Sequence, residues 1–112
     1  MNAFYKAEFF SDEASKPELL KTYFGTTVPQ WLTAINKRLL ANSSKQFIVG
    51  DKITIADFAL AAWVYSIYLN DLSVARESVI PIMANLPELD AYFRVLGEHL
   101  KEYLETRPKC PW

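Results

Sequence analysis

Thr54 and Asp57 form the first pair in this chain whose types and spacing could do chemistry. A carboxylate set among apolar residues invites an acid–base reading. The same spacing also serves folding: a hydroxyl at N-cap and a carboxylate at N3 make a capping box, each side chain receiving the other's backbone amide. Ile53 and Phe58 stand at N′ and N4, the positions of a hydrophobic staple around that cap. We read the four residues as a folding device. His99 is the single histidine, and no cysteine, histidine or carboxylate cluster accompanies it at ligand spacing, so no metal site is expected. Glu98, Glu102 and Glu105 alternate with Lys101 as on a wet helix face. Cys110 lies between Lys109 and Pro111. Without a histidine beside it or a helix N-terminus, the residue reads as an exposed tail cysteine. Tyr5, Phe9 and Phe10 near the start, and Trp112 at the end, offer aromatic walls for packing or for a hydrophobic ligand. Gly50-Asp51 is a turn with no glycine-rich phosphate loop around it.

The elements that must position these residues belong to one domain's worth of chain, 112 residues. Hydrophobic residues make up 51%, which argues for a packed core and against disorder. Twelve basic residues face 13 acidic ones, interspersed, so nucleic acid finds no electrostatic footprint. One cysteine suits a reducing compartment. The N-terminus lacks a signal-peptide layout, and the run Ile55 to Leu69 is interrupted and falls short of the ~20 residues that span a bilayer. A cytoplasmic protein without membrane segments is expected.

Helix punctuation recurs along the chain. Ser15-Lys16-Pro17-Glu18 has the form of a capping box, and Gly25 stands where that helix should end. Thr27-Val28-Pro29-Gln30 marks a second start, followed by the stripe Trp31, Ile35 and Leu39, with Leu32 and Leu40 alongside, to about Asn42. A helix is expected between Ser73 and Ala84, interrupted by Pro81. Asn85-Leu86-Pro87-Glu88 opens another, with Leu89, Phe93, Leu96, Leu100 and Leu104 at helical spacing and a bend expected at Gly97. Arg107-Pro108 ends it before an extended tail.

The stretch from Gln46 to Tyr65 reads at first as a hairpin around Gly50-Asp51. Ala56-Asp57 are poor strand residues, and the run from Ala59 to Tyr65 is too long and alanine-rich for a strand. Helix is therefore expected from Ile55 to about Asn70, apolar nearly all round and so central and surrounded. Its small residues Ala56, Ala59, Ala61, Ala62 and Ser66 would let neighbours approach closely. The expected fold is all-α, a bundle of about five to seven helices around that buried helix.

"FIVGDKITIADFAL" resembles the core motif of the C-terminal, all-helical domain of cytosolic glutathione transferases, which carries the capping box and staple of the central helix. Pro87-Glu88-Leu89 and the ending "EYLETRPKCPW" resemble the Tyr-Leu-x-x-Arg-Pro ending of sigma-like and related classes. Together the motifs cover most of Pro29 to Trp112. The resemblance implies residues 1–112 as a single helical domain that supplies the wall of a pocket for a hydrophobic electrophile and part of a dimer interface. A thioredoxin-like domain would bind glutathione and activate its thiol. This sequence shows no βαβ pattern, cis-proline segment or thiol-activating residue for such a domain, so the chain alone is not expected to catalyse. No cofactor is expected within it; glutathione would be the co-substrate of the intact family protein. A homodimer or an upstream thioredoxin-like domain would be its partner. By the same resemblance Tyr5, Phe9 and Phe10 border the electrophile pocket and Trp112 could cap it. Two other readings share the fold: an assembly adaptor without enzymatic duty, and a carrier of hydrophobic ligands.

Overall fold

The computed structural model describes residues 11–110, and Tyr5, Phe9, Phe10 and Trp112 lie outside them. The described residues form α1 (Lys16–Thr22), α2 (Val28–Ala41), α3 (Ile55–Trp63), α4 (Arg76–Met83), α5 (Pro87–His99) and α6 (Lys101–Thr106), with no strand among them. The all-α expectation holds. Two compact units are distinguished, residues 1–34 and 35–112.

In the first unit, the cap of α1 is not the expected one. Ser15 has helical backbone angles and makes no side-chain cap. Asp12 takes that place: its Oδ1 accepts the Ser15 amide at 2.8 Å and also the Ser15 hydroxyl. These bonds hold the Asp12 carboxyl below its usual range. Gly25 does not end the helix either. Tyr23–Thr27 form a π turn leading directly into α2. The physical reason is Pro29, which lacks an N–H and whose ring would crowd the carbonyl of Gly25 four residues back. One wider turn, with the Val28 amide on the Tyr23 carbonyl, absorbs that mismatch without breaking the helix.

Along α2 the buried positions are Val28, Leu32 and Leu39, with Ile35 partly covered, while Trp31 is 38% exposed. Leu39 of the expected stripe is buried, and Leu32, expected alongside it, takes the inward place of Trp31. Asn42, just past α2, organises the following loop by donating to the carbonyls of Phe47 (2.7 Å) and Gly50 (2.8 Å). Gly50 has φ +67°, the left-handed region that favours glycine.

In the second unit α3 packs against α5, and the π turn Val64–Tyr68 that extends α3 packs against α4. Leu60, Val64, Ile67, Val79, Met83, Leu89, Phe93 and Leu96 make its core. Tyrosine hydroxyls tie α3 and its π turn to α5. Tyr65 donates to the Phe93 carbonyl (2.7 Å), Tyr68 to Asp90 (2.7 Å), and Tyr92 back to Asp57 (2.6 Å). Each satisfies a polar group that burial would otherwise leave expensive. The central helix is not enclosed on all sides: Ile55 is 87% and Phe58 48% exposed, with Ala59 and Ala62 also open. Uniform hydrophobicity cannot say which side of a helix its neighbours leave bare, because all of its faces look alike.

The expected bend at Gly97 falls at Leu100 instead, where the backbone leaves helical angles between α5 and α6. No described helix is long and apolar enough to cross a membrane.

Candidate functional site

Among the described residues, a groove of about 450 Å³ lies between α3 and α6. Phe58, Ala61, Ala62, Tyr65 and Ser66 line one wall, and Leu100, Tyr103, Leu104 and Arg107 the other. The volume lies within the ~300–1,000 Å³ of small-molecule sites. Local sequence explains the space. Ala61, Ala62 and Ser66 put short side chains on the face of the helix that meets α6, so the facing helix cannot fill it. They were expected to bring neighbours close; here they leave room.

The π turn gives the groove its far end. The Leu69 amide bonds to the Val64 carbonyl at 2.8 Å, five residues back, rather than to Tyr65. The Arg107 guanidinium donates to the Tyr65 carbonyl. Asn70 donates to the carbonyls of Ser66 (3.0 Å) and Cys110 (2.9 Å), so the tail is pinned to the end of the central helix. Cys110 is accordingly half-buried rather than freely exposed. The Tyr65 hydroxyl reaches α5 instead of serving the groove, and burial, foremost, pushes its phenol up from the ordinary value.

The carboxylate of Asp57 has another character. It is fully buried. Its Oδ1 accepts from the Tyr92 hydroxyl at 2.6 Å and the Ile48 amide at 3.1 Å. Its Oδ2 accepts from the Thr54 amide at 2.8 Å and the Thr54 hydroxyl at 3.0 Å. Burial pushes the carboxyl up, but the bonds from Tyr92, Thr54 and Ile48 outweigh it and hold the group below the usual carboxylate range. Burial, then the hydrogen bond to Asp57 and its charge, push the Tyr92 phenol far up. With four donors on two oxygens, this carboxylate has little capacity left for a reacting proton. Asp57 joins the 46–54 loop, the start of α3 and α5. Ile53 is partly covered, and Phe58 stands at the groove.

A second, smaller cavity of about 310 Å³ is lined by Leu39, Leu40, Lys45, Glu88, Tyr92 and Val95 among others. His99 is exposed, its ring 6.1 Å from that of Phe47. Glu98, Glu102 and Glu105 are exposed too, and among the described residues no group of His, Cys, Asp and Glu could hold a metal ion. Sequence reasoning missed Tyr65, Tyr103 and Arg107 as groove residues. Arg107-Pro108 signalled a helix stop, and Tyr103 and Arg107 entered only as members of the Tyr-Leu-x-x-Arg-Pro ending.

The family model described as "Glutathione S-transferase, C-terminal domain" matches residues 1–107, across both units. No curated protein and no solved structure matches the chain.

Proposed function

Because the chain belongs to the family of glutathione S-transferase C-terminal domains, we propose that it supplies the apolar wall of an electrophile site, with dimer contacts, for conjugation to glutathione. The observation that carries this reading is the predominantly apolar groove of Phe58, Ala61, Ala62, Leu100, Tyr103 and Leu104. Glutathione and its thiol activation belong to a thioredoxin-like partner domain. The groove's own Tyr65 is a poor thiolate stabiliser, since its hydroxyl is committed to Phe93 and its phenol is pushed up by burial. Residues 1–112 act as one domain, in the cytoplasm, in keeping with a single cysteine.

The test is binding of a neutral fluorescent hydrocarbon amine, N-phenyl-1-naphthylamine. Saturable binding to the full chain is expected, lost in Ala62→Trp, which fills the groove from an exposed position. Binding of equal strength in the wild type and in Ala62→Trp would remove the groove from the function.

Ile55, 87% exposed at the start of α3, favours a second reading: an assembly adaptor whose protein partner covers that end. The native mass of the protein isolated from its source separates the two. A stoichiometric complex with unrelated proteins would support the adaptor; a homodimer carrying a thioredoxin-like domain supports the transferase.

A further inference from the structure

We infer that the smaller cavity, of about 310 Å³, is a separate ligand site that takes an α-amino acid with a bulky apolar side chain, bound as its zwitterion. Its lining holds one cation and one anion, Lys45 and Glu88, beside a floor that includes Leu40, Ala91, Tyr92 and Val95. It shares no lining residue with the groove between α3 and α6, so the two sites stand or fall independently.

Lys45 and Glu88 line one cavity without pairing. The ion pairs among the described residues join Arg76 to Asp71 and Glu77, and Arg94 to Asp90. The two charged ends therefore stand farther apart than an ion pair allows, which leaves room for a head group between them. A carboxylate on Lys45 and an ammonium on Glu88 would satisfy both charges at once. A lone anion would be repelled by Glu88 and a lone cation by Lys45.

Each charge is carried on a defined backbone. Glu88 lies in the first turn of α5, directly after Pro87. Lys45 follows the end of α2, and its amide donates to the Asn42 carbonyl at 3.1 Å. Its φ of +51° lies in the left-handed region, where glycine or asparagine sits with less strain. Asn42, bonded to the Phe47 and Gly50 carbonyls, braces this turn, and so does the Ser44 hydroxyl on the Gly50 carbonyl at 2.9 Å. The root of the lysine side chain is thus fixed before a ligand arrives, which lowers the ordering cost of binding. The floor suits the apolar side chain: Leu40 is 42% and Val95 51% exposed, surface that a ligand would cover. Tyr92 has its hydroxyl bonded to Asp57, so what it offers the cavity is ring carbon. The volume is at the lower end of the ~300–1,000 Å³ of small-molecule sites, in keeping with one amino acid.

Three probes share one phenyl body: phenylalanine carries both charges, phenethylamine only the cation and 3-phenylpropionate only the anion. Titrations at neutral pH are followed by amide shifts of the isotope-labelled full chain. Saturable shifts are expected at Gln46, Ala91 and Val95, with phenylalanine about three- to fivefold tighter than either single-charge probe, the ratio an exposed ion pair gives. In Lys45→Asn, which the left-handed backbone accepts, phenylalanine should fall to the affinity of phenethylamine and stay above 3-phenylpropionate. In Glu88→Gln it should fall to the affinity of 3-phenylpropionate and stay above phenethylamine. Ala91→Trp, filling the cavity from an exposed position, should abolish all three. The ranking in the wild type needs no variant and decides the matter should one not fold. Phenylalanine no tighter than both other probes, or its advantage surviving in either folded charge variant, overturns the zwitterion site. Shifts centred on Ala62 and Leu104, or no saturable shift with any probe, overturn it too and leave the groove between α3 and α6 to its own test.

Discussion

The Tyr65 hydroxyl occupies the space that a side chain at Gly97 would need: a Cβ built there would collide with it and stand 2.8 Å from the ring carbon that bears it. The glycine lets Tyr65 slide along α5 and donate to the Phe93 carbonyl. Its helix-weakening character, read from sequence as a bend, is the cost of that approach.

Gly97→Ala should therefore destabilise the protein, although alanine is the better helix former by ~1 kcal/mol. A net loss of about 1–2 kcal/mol is expected from overpacking and the displaced hydrogen bond. Urea unfolding of Gly97→Ala, Tyr65→Phe and the double variant checks it. The double variant should lose less than the sum of the singles; strict additivity would mean the two residues do not meet.

Asp57→Ala should cost roughly 3 kcal/mol or more, since it orphans the donors of Ile48, Thr54 and Tyr92 in a buried setting. Tyr92→Phe removes one of those bonds and should cost about 1–2 kcal/mol. Thermal or urea melts read both. A melting temperature unchanged in Asp57→Ala would mean the carboxylate is not a folding residue.

Acid should unfold the protein partly through the same group. The Asp57 carboxyl lies below its ordinary value in the folded chain. Its stabilisation is then complete above the unfolded pKa of ~4 and lost as pH falls through the folded value. Between those limits the unfolded chain binds more protons, so stability rises with pH. Asp90, lowered chiefly by the Arg94 and Tyr68 bonds that outweigh its burial, adds the same sign. The urea midpoint should fall from about pH 5 downward, and fall less steeply in Asp57→Asn. A wild-type midpoint flat over that window would contradict the assignment.

Asn70→Ala should loosen the tail. It removes the bond to the Cys110 carbonyl while leaving the core intact. Iodoacetamide should then alkylate Cys110 about five- to tenfold faster, the factor that ~1 kcal/mol of lost hydrogen bonding gives. An unchanged rate would show that the tail is held by other contacts.

Much of the fold was legible before the structure. Pro87 opening α5, the heptad-like leucines behind it and the helical reading of Ile55 to Tyr65 all survive, because they rest on local capping and propensity. The site was far less legible. Thr54 and Asp57 stood out in the sequence yet are saturated by hydrogen bonds, and Tyr5, Phe9, Phe10 and Trp112 fall outside the described residues. The groove residues are scattered from Phe58 to Arg107, and nothing in their order marks them as neighbours.

By itself, then, the sequence determined the all-helical class, the start of the central helix and the family, since each follows from residues a few positions apart. Tertiary structure alone decided that Tyr92 would meet Asp57 across 35 positions and that Gly97 would make way for Tyr65. It also decided that Arg107 would stand at the groove and bond to the Tyr65 carbonyl. Those relationships depend on where π turns shift helix register and on which face of an evenly apolar helix is left uncovered. Neither is encoded at short range.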